Sequence, residues 1–421
     1  MVAPERVRLL NDSSPRSGAA YVLYWAQTSR RLDSNHGLAC AVERADSLGL
    51  PVLVYEGLTR DRPFANPRFD SFILGGARDN AARAAQLGFG YVFSDQRGAL
   101  YRMAEDAALL VTDDYPGYLV REHNARLPAR LGIPYYVVDS SCIVPMACFT
   151  KQEYAAYTIR PKINRLLPVH LRPLETAVPT IRWAGPLPVV DASPESGGGR
   201  VAAMKRLREF LAHDLARYAQ DSREPTQRAT SRLSPYLHFG HISSLEVALA
   251  VREHSPEFQE QLIIRRELAF NFARHGPNPR TLAALPNWAR QTLAKHDADP
   301  RDYSYSHQQF ERAATHDVLW NATQKELLRD GVIHGYYRMY WGKKIIEWSP
   351  SHQEALDVML DLNDRYALDG RDPNTYANIL WCFGLHDRPW TERPVFGMVR
   401  YMNLAGMRRK TEVDAYVKEM Q

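Results

Sequence analysis

Hydrophobic and polar positions change their period about 170 residues into the chain. In the first third, short runs rich in β-branched and aromatic residues (AAYVLYWAQ, LPVLVYEGL, FGYVFS, ALLVTDD, IPYYVVDS) alternate with Ala-, Arg- and Leu-rich stretches such as GARDNAARAAQLG. Strand runs separated by helical ones predict βαβ units, and hence a doubly wound, Rossmann-like parallel sheet in an α/β domain over residues 1–166. The glycine pair in LGFGYVF lacks a third glycine and precedes its strand instead of following it, so a dinucleotide fingerprint is not supported. Residues 167–200 are rich in proline, end in a Gly/Ser signal and predict an extended interdomain connection. From 201 onward apolar residues recur at three- and four-residue spacing, as in VAAMKRLREFLAHDLARYAQ and QEQLIIRRELAFNFARH, which predicts an all-α domain over 201–421.

Composition adds limits. A chain of 421 residues with 45 % hydrophobic content can bury a sizeable core in two or three domains. It has no apolar run of 18 residues and no apolar segment near its start, so no membrane association is expected and the cytoplasm is the expected location. Cys40, Cys142, Cys148 and Cys382 form no close pair, which argues for buried thiols against a disulfide framework or a metal site. The net charge of +5 is mild, but 381–410 holds six Lys/Arg (Arg388, Arg393, Arg400, Arg408, Arg409, Lys410) against Asp387 and Glu392, a local excess of four. Such a run is either a solvated basic face or a phosphate-binding one.

Three stretches carry candidate chemistry. HGYYRMYWGKKIIEW, residues 334–348, places Trp341 and Trp348 seven residues apart, within roughly 20° of one helix face and about 10 Å along its axis. Trp320, in VLWNATQ on the preceding helical segment, can pack against them; by themselves three such rings read as core anchors. ATSRLSPYLHFGHIS, 229–243, reads as a helix start whose N–H and hydroxyl groups suit a diphosphate, a weak pattern because any helix cap resembles it. Its His238 and His241 lack a third ligand at matching spacing and read as hydrogen-bonding residues. LNDRYALDGRDPNTYANILW, 362–381, is a polar turn with Asn363, Asp369, Arg371, Asp372 and Asn374 before an aromatic end.

Taken together, these stretches with YVLYWAQTSRRLDSNHGLACA, TIRPKI, RRELAFNF and ERPVFGMVRYMNLAG closely resemble the photolyase/cryptochrome family, and within it the class II cyclobutane pyrimidine dimer photolyases, over nearly the whole chain. The resemblance implies an antenna-type first domain and a helical second domain enclosing FAD, active as FADH⁻. It implies that Tyr218, Thr230, Ser231, Arg232, Leu233 and Ser234 hold the phosphates and ribityl chain, that Asn363 sits against the flavin N5, and that Arg338 and Asp369 flank the ring with Asp372 nearby. Trp341, Trp320 and Trp348 match the electron-transfer triad of class II enzymes. Trp381 resembles the residue that stacks on the flipped dimer, and Arg388, Trp390 and Arg400 match positions that intrude into the vacated duplex and clamp phosphates. The implied reaction is light-driven splitting of cyclobutane dimers in DNA, a carbon–carbon lyase with no net redox change, acting on a lesion that is cheaper to flip than a normal pair. An antenna chromophore such as 8-hydroxydeazaflavin is compatible, and a monomer is the default expectation.

The chain departs from the class pattern in one place that bears on catalysis. Where the class carries a glutamate that hydrogen-bonds the dimer, six residues before the Glu of RRE, this sequence has Gln261. An amide donates a hydrogen bond but transfers no proton, so less efficient repair is expected. Glu260 is adjacent but turned by about 100° on a regular helix. The loop WCFGLHDRPW is also one residue shorter than the class pattern. The alternative reading is a cryptochrome-like blue-light receptor or non-repairing flavoprotein.

Overall fold

The computed structural model describes residues 1–59, 62–186, 197–252 and 254–421. It has two compact units: Met1–Thr150 with Lys162–Glu209 and Arg232–Glu253, and Lys151–Pro161 with Phe210–Ser231 and His254–Gln421.

The first unit is built on a six-stranded sheet. Its strands are β1 (Val7–Leu9), β2 (Tyr21–Trp25), β3 (Val52–Gly57), β4 (Gly90–Ser94), β5 (Ala107–Asp113) and β6 (Tyr135–Val138), in the order β1-β6-β5-β2-β3-β4. The five β-rich runs are the five parallel strands. The sixth, β1, pairs antiparallel with β6, Val7 opposite Val138, so the sheet is mixed and not wholly parallel. Three residues are too few to show alternation; β1 is pinned by the buried Arg6, which donates to the carbonyls of Asp139 (2.9 Å) and Cys142 (2.8 Å). Because side chains alternate along a strand, Val22 and Tyr24 pack with Val52, Val54 and Val111 in one core, and Tyr21 and Leu23 with Leu53, Tyr55 and Leu110 in the other. The glycine pair of LGFGYVF has a structural role: Gly88 ends the helix Pro67–Leu87 at φ +89°, and a Cβ on Gly90 would lie 2.5 Å from the Trp183 ring.

Residues 201–209 and 232–253, expected in the helical domain, belong to the sheet unit. Gly240 shows why: at φ +72° it lies so close to the loop after β2 that a Cβ would be 1.8 Å from the Thr28 carbonyl oxygen. The helix Ala156–His170 runs through the expected boundary at 166, and residues 187–196 of the expected connection lie outside the described residues.

The second unit is helical. Asp317, Ser351 and Asp372 cap the helices Val318–Asp330, His352–Tyr366 and Pro373–Cys382 by accepting backbone N–H bonds. Its core gathers Trp320, Trp341 and Trp348 with Leu356, Met359 and Leu380. The helix Gly335–Trp348 approaches Pro373–Cys382 closely, since a Cβ on Gly342 would lie 2.7 Å from the Cys382 sulfur. The stretch expected as one helix over 201–220 is instead broken by a π-helical segment at Phe210–Asp214, and a second such segment spans Glu260–Arg265. Among the described residues no helix is long and apolar enough to cross a membrane.

Candidate active site

Trp320 lies between the two tryptophans of the Gly335–Trp348 helix. Its ring stacks on Trp341 at 6.4 Å between centroids and 6° between planes, and meets Trp348 edge-on at 6.3 Å. All three are at most 2 % exposed. Each inner indole N–H has a neutral acceptor: Trp320 donates to the Trp341 carbonyl (3.0 Å), and Trp341 to Gln324 Oε1 (2.9 Å), one turn after Trp320. Asp317 fixes the start of the Trp320 helix and also accepts from Tyr340 OH. Outside Trp348 lie Tyr305 (5.6 Å) and His316 (5.0 Å), and His316 stacks at 3.7 Å on the exposed Tyr303.

Arg338, on the same helix, bonds both carboxylate oxygens of Asp369 through Nη2, at 3.0 and 3.2 Å, and both side chains are buried. Asp369 belongs to the turn Ala367–Asp372, which follows the helix carrying Asn363. Gly370 allows that turn, because a Cβ there would lie 2.7 Å from the Asn363 carbonyl oxygen. Asn363 is 1 % exposed, and neither its Nδ2 nor the Arg338 Nε has a partner among the described residues. Buried donors without acceptors are costly, so each of these two atoms suits a polar ligand. Asp372 accepts from Asn374 N (2.9 Å) and Nδ2 (2.8 Å), and so acts as a helix cap.

Gln261 and Trp381 line one cavity of about 260 Å³, together with Arg265, Asn374, Asn378 and His386. Gln261 lies in the π-helical segment and is exposed. Glu260 is outside the lining and is engaged elsewhere, with Arg160 at 2.7 Å and Arg265 at 3.4 Å. Trp381 has two cations near its ring, Lys343 Nζ 5.2 Å and the Arg400 guanidinium carbon 5.4 Å from its centroid. Burial pushes Lys343 down to about 8, and its ammonium donates to the Cys382 carbonyl at 2.5 Å. Neither Lys343 nor His386 was singled out from sequence. One reads as a helix-surface charge, and the other depends on a left-handed backbone at φ +59° that no spacing reveals.

Arg388, Trp390 and Arg400 cluster around Asp387. Arg400 pairs with both its oxygens at 3.0 and 3.2 Å and stacks on Trp390 at 4.1 Å; Arg388 lies 5.0 Å from the same ring. Burial alone would raise the Asp387 carboxyl, but the Arg400 hydrogen bond and charge outweigh it and hold it low. Arg400 is therefore committed to an ion pair and is not a free cation. Arg393, Arg409 and Lys410 line a neighbouring cavity of about 290 Å³. The turn Arg393–Gly397 is tied down by His296, which bonds Glu392 (2.9 Å) and Asp299 (2.6 Å), while Asp299 accepts from Val395 N. The two carboxylates, Glu392 first, raise His296 above its usual value of 6.5. A raised folded value means that this tie is at full strength below about pH 6.5 and weakens as pH rises through the raised value. The His296 ring resonances should titrate above 6.5, and exchange of the 392–399 amides should speed up over the same range; a His296 midpoint below 6.5 would contradict this.

The stretch around 229–234 differs from expectation. Ser234 is the first residue of a five-residue helix whose N-cap is Leu233, with no side-chain cap bond, so the serine does not cap it. Arg228 and Arg232 adopt left-handed backbone at φ +49° and +52°. Arg232, Leu233 and Ser234 belong to the first unit, and Tyr218, Thr230 and Ser231 to the second, where Tyr218 packs edge-on against Phe210 and Phe258. His241 is fully buried in the first unit. It accepts from Gly199 N (3.0 Å) and stacks on Phe72, and burial pushes it down to about 3, so the ring is neutral.

At the carboxyl ends of the parallel strands, where the order reverses at β2, the Trp25 ring lies 6.4 Å from Tyr55 and 5.3 Å from His123. Gln27 joins this group through His123 (2.8 Å) and Thr112 (2.9 Å). Strand ends at such a reversal are where open α/β sheets bind ligands.

A family profile described as DNA photolyase matches residues 22–180. The deoxyribodipyrimidine photo-lyase of Methanothermobacter thermautotrophicus is 42 % identical, over 100 % of this chain and 99 % of its own. The chain belongs to the DNA photolyase family. The photolyase fold extends over both units: an archaeal photolyase from Sulfolobus tokodaii, solved with two FAD molecules, superposes with a TM-score of 0.71 at 18 % identity, covering 94 % of this chain and 89 % of that one. A Synechocystis cryptochrome gives 0.73 at 16 %, covering 95 % and 88 %. At such identities the photolyase and cryptochrome structures share the fold with this chain, and the site must be argued from its own residues.

Proposed function

We propose that this photolyase-family chain is a class II enzyme that uses light to split cyclobutane pyrimidine dimers in DNA, with most of the FAD-holding residues in the helical unit and the β-sheet serving as the core of the antenna domain. The observation that carries the reading is Trp381, a ring with two cations beside it in the wall of the cavity that Gln261 lines. Such a wall suits stacking on a pyrimidine dimer flipped out of the duplex. The unpartnered amide of Asn363 and the Arg338 Nε beside its ion pair with Asp369 fit FAD. Tyr218, Thr230, Ser231, Arg232, Leu233, Ser234 and Asp372 are assigned to its phosphates and ribityl chain by the family resemblance. When bound and fully reduced, FAD supplies the light-driven electron and takes it back.

The protein's own groups then have distinct tasks. Trp381 stacks on the flipped dimer, and Gln261 donates an amide hydrogen bond without offering a proton. Arg388 and Trp390 fill the vacated duplex; Arg400 exchanges Asp387 for a phosphate, with Arg393, Arg409 and Lys410 adding sequence-independent attraction. Trp341, Trp320 and Trp348 conduct an oxidising equivalent outward. Because their inner N–H acceptors are a carbonyl and an amide, neither of which takes a proton, the charge moves alone. The cluster of Trp25, Tyr55 and His123 suits a planar antenna chromophore such as 8-hydroxydeazaflavin or a second flavin. A monomer acting in the cytoplasm completes the proposal.

Gln261 is the observation that favours the other reading, a cryptochrome-like receptor. Lesion recognition separates the two. Trp381→Ala should weaken binding to a dimer-containing oligonucleotide by about 1–3 kcal/mol, the usual worth of one stacked base, and leave undamaged DNA unaffected. Equal affinity of the unmodified protein for damaged and undamaged duplex would reject the repair reading.

A further inference from the structure

Resting on the repair reading just given, we infer that His386 reads the flipped pyrimidine: its Nε2 accepts a hydrogen bond from the N3–H of a thymine in the cavity that Gln261 and Trp381 line. The ring lines that cavity, and its tautomer is fixed by one contact. Nδ1 lies 2.6 Å from the Tyr154 carbonyl oxygen, which only accepts, so Nδ1 carries the proton. Burial pushes the imidazole down to about 4, so it is neutral near pH 7. In a neutral ring protonated at Nδ1, Nε2 is a lone-pair acceptor, and it is buried without a partner among the described residues.

His386 adopts φ +59°, a backbone conformation that glycine or asparagine accepts more readily, and the preceding loop turns on Gly384 at φ +107°. A left-handed loop residue in a cavity lining with one ring nitrogen unpaired is the kind of feature that clusters at binding sites. The lining also holds donors: Arg265, which pairs with Glu260 through Nε (3.4 Å) and only donates, and the amides of Gln261, Asn374 and Asn378, which donate and accept, Asn374 having given one N–H to Asp372. Among these groups His386 Nε2 is the one that can only accept. A thymine presents carbonyl acceptors beside one N3–H donor on the edge that adenine held before flipping. Donors from Gln261 and Arg265 meet the carbonyls, and His386 is the acceptor for the imide.

The test compares a thymine dimer with the same dimer methylated at both N3 positions, in duplex oligonucleotides, by equilibrium binding to the full chain and to His386→Asn. Asparagine keeps the left-handed backbone but is too short to replace the Nε2 contact. Methylation should weaken binding to the unmodified protein about tenfold, the scale of one lost hydrogen bond whose partner stays buried. His386→Asn should bind the ordinary dimer about tenfold more weakly, and methylation should then cost it nothing further. An equal methylation penalty in both proteins, or an undiminished affinity of His386→Asn for the dimer, overturns the assignment of His386 while lesion binding itself stands. No preference of the unmodified protein for dimer over undamaged DNA overturns the repair reading and this inference with it.

Discussion

Trp320→Phe should abolish light-driven reduction of the bound flavin while leaving repair by chemically reduced protein within about twofold of the unmodified chain. Trp320 bridges the two helix tryptophans, stacked on Trp341 at 6.4 Å and edge-on to Trp348 at 6.3 Å, and phenylalanine fills most of its volume without an oxidisable indole. The substitution also removes the N–H bond to the Trp341 carbonyl and part of a ring that is 0 % exposed, a combined stability cost of about 1–3 kcal/mol. Transient absorption after a light pulse, beside a thermal melt, separates the two effects. Unchanged photoreduction in a folded Trp320→Phe protein would remove the tryptophan row from the account.

Arg338→Met should destabilise the apoprotein by about 3–5 kcal/mol, because it leaves the buried Asp369 carboxylate without its counter-charge. Replacing both partners, as in Arg338→Met with Asp369→Leu, should recover much of that stability, since a buried pair can be exchanged for apolar groups at little cost. Flavin retention should not recover with it. Denaturant titration measures the first effect and flavin absorbance after gel filtration the second. Recovery of both would make Arg338 and Asp369 a structural pair only.

These residues were not equally legible in the sequence. Most of the parallel strands announced themselves because both faces are buried, which writes continuous apolar runs, while the edge strand β4 is partly buried; the tryptophan row was visible as a seven-residue spacing. β1 was not visible, because three residues pinned by an arginine carry no period. The boundary near 201 misled because residues 201–209 and 232–253 have helical periodicity but pack with the sheet unit; periodicity reports an element and not its neighbour. Within the site, Gln261, Trp381, Asn363 and the Arg338–Asp369 pair were named from motifs that resemble a family. His386, Lys343 and Arg265 escaped because what sets them apart is a backbone angle, a burial and a shared cavity.

Illumination of the flavin-reduced protein with a thymine-dimer oligonucleotide, followed by absorbance near the thymine band, tests the central claim most directly. Recovery of that band that requires both light and reduced flavin, and that rises in Gln261→Glu, is the predicted result. Tight flavin and dimer binding with no recovery in either protein would contradict it, and would leave a flavoprotein that senses light or holds lesions without repairing them.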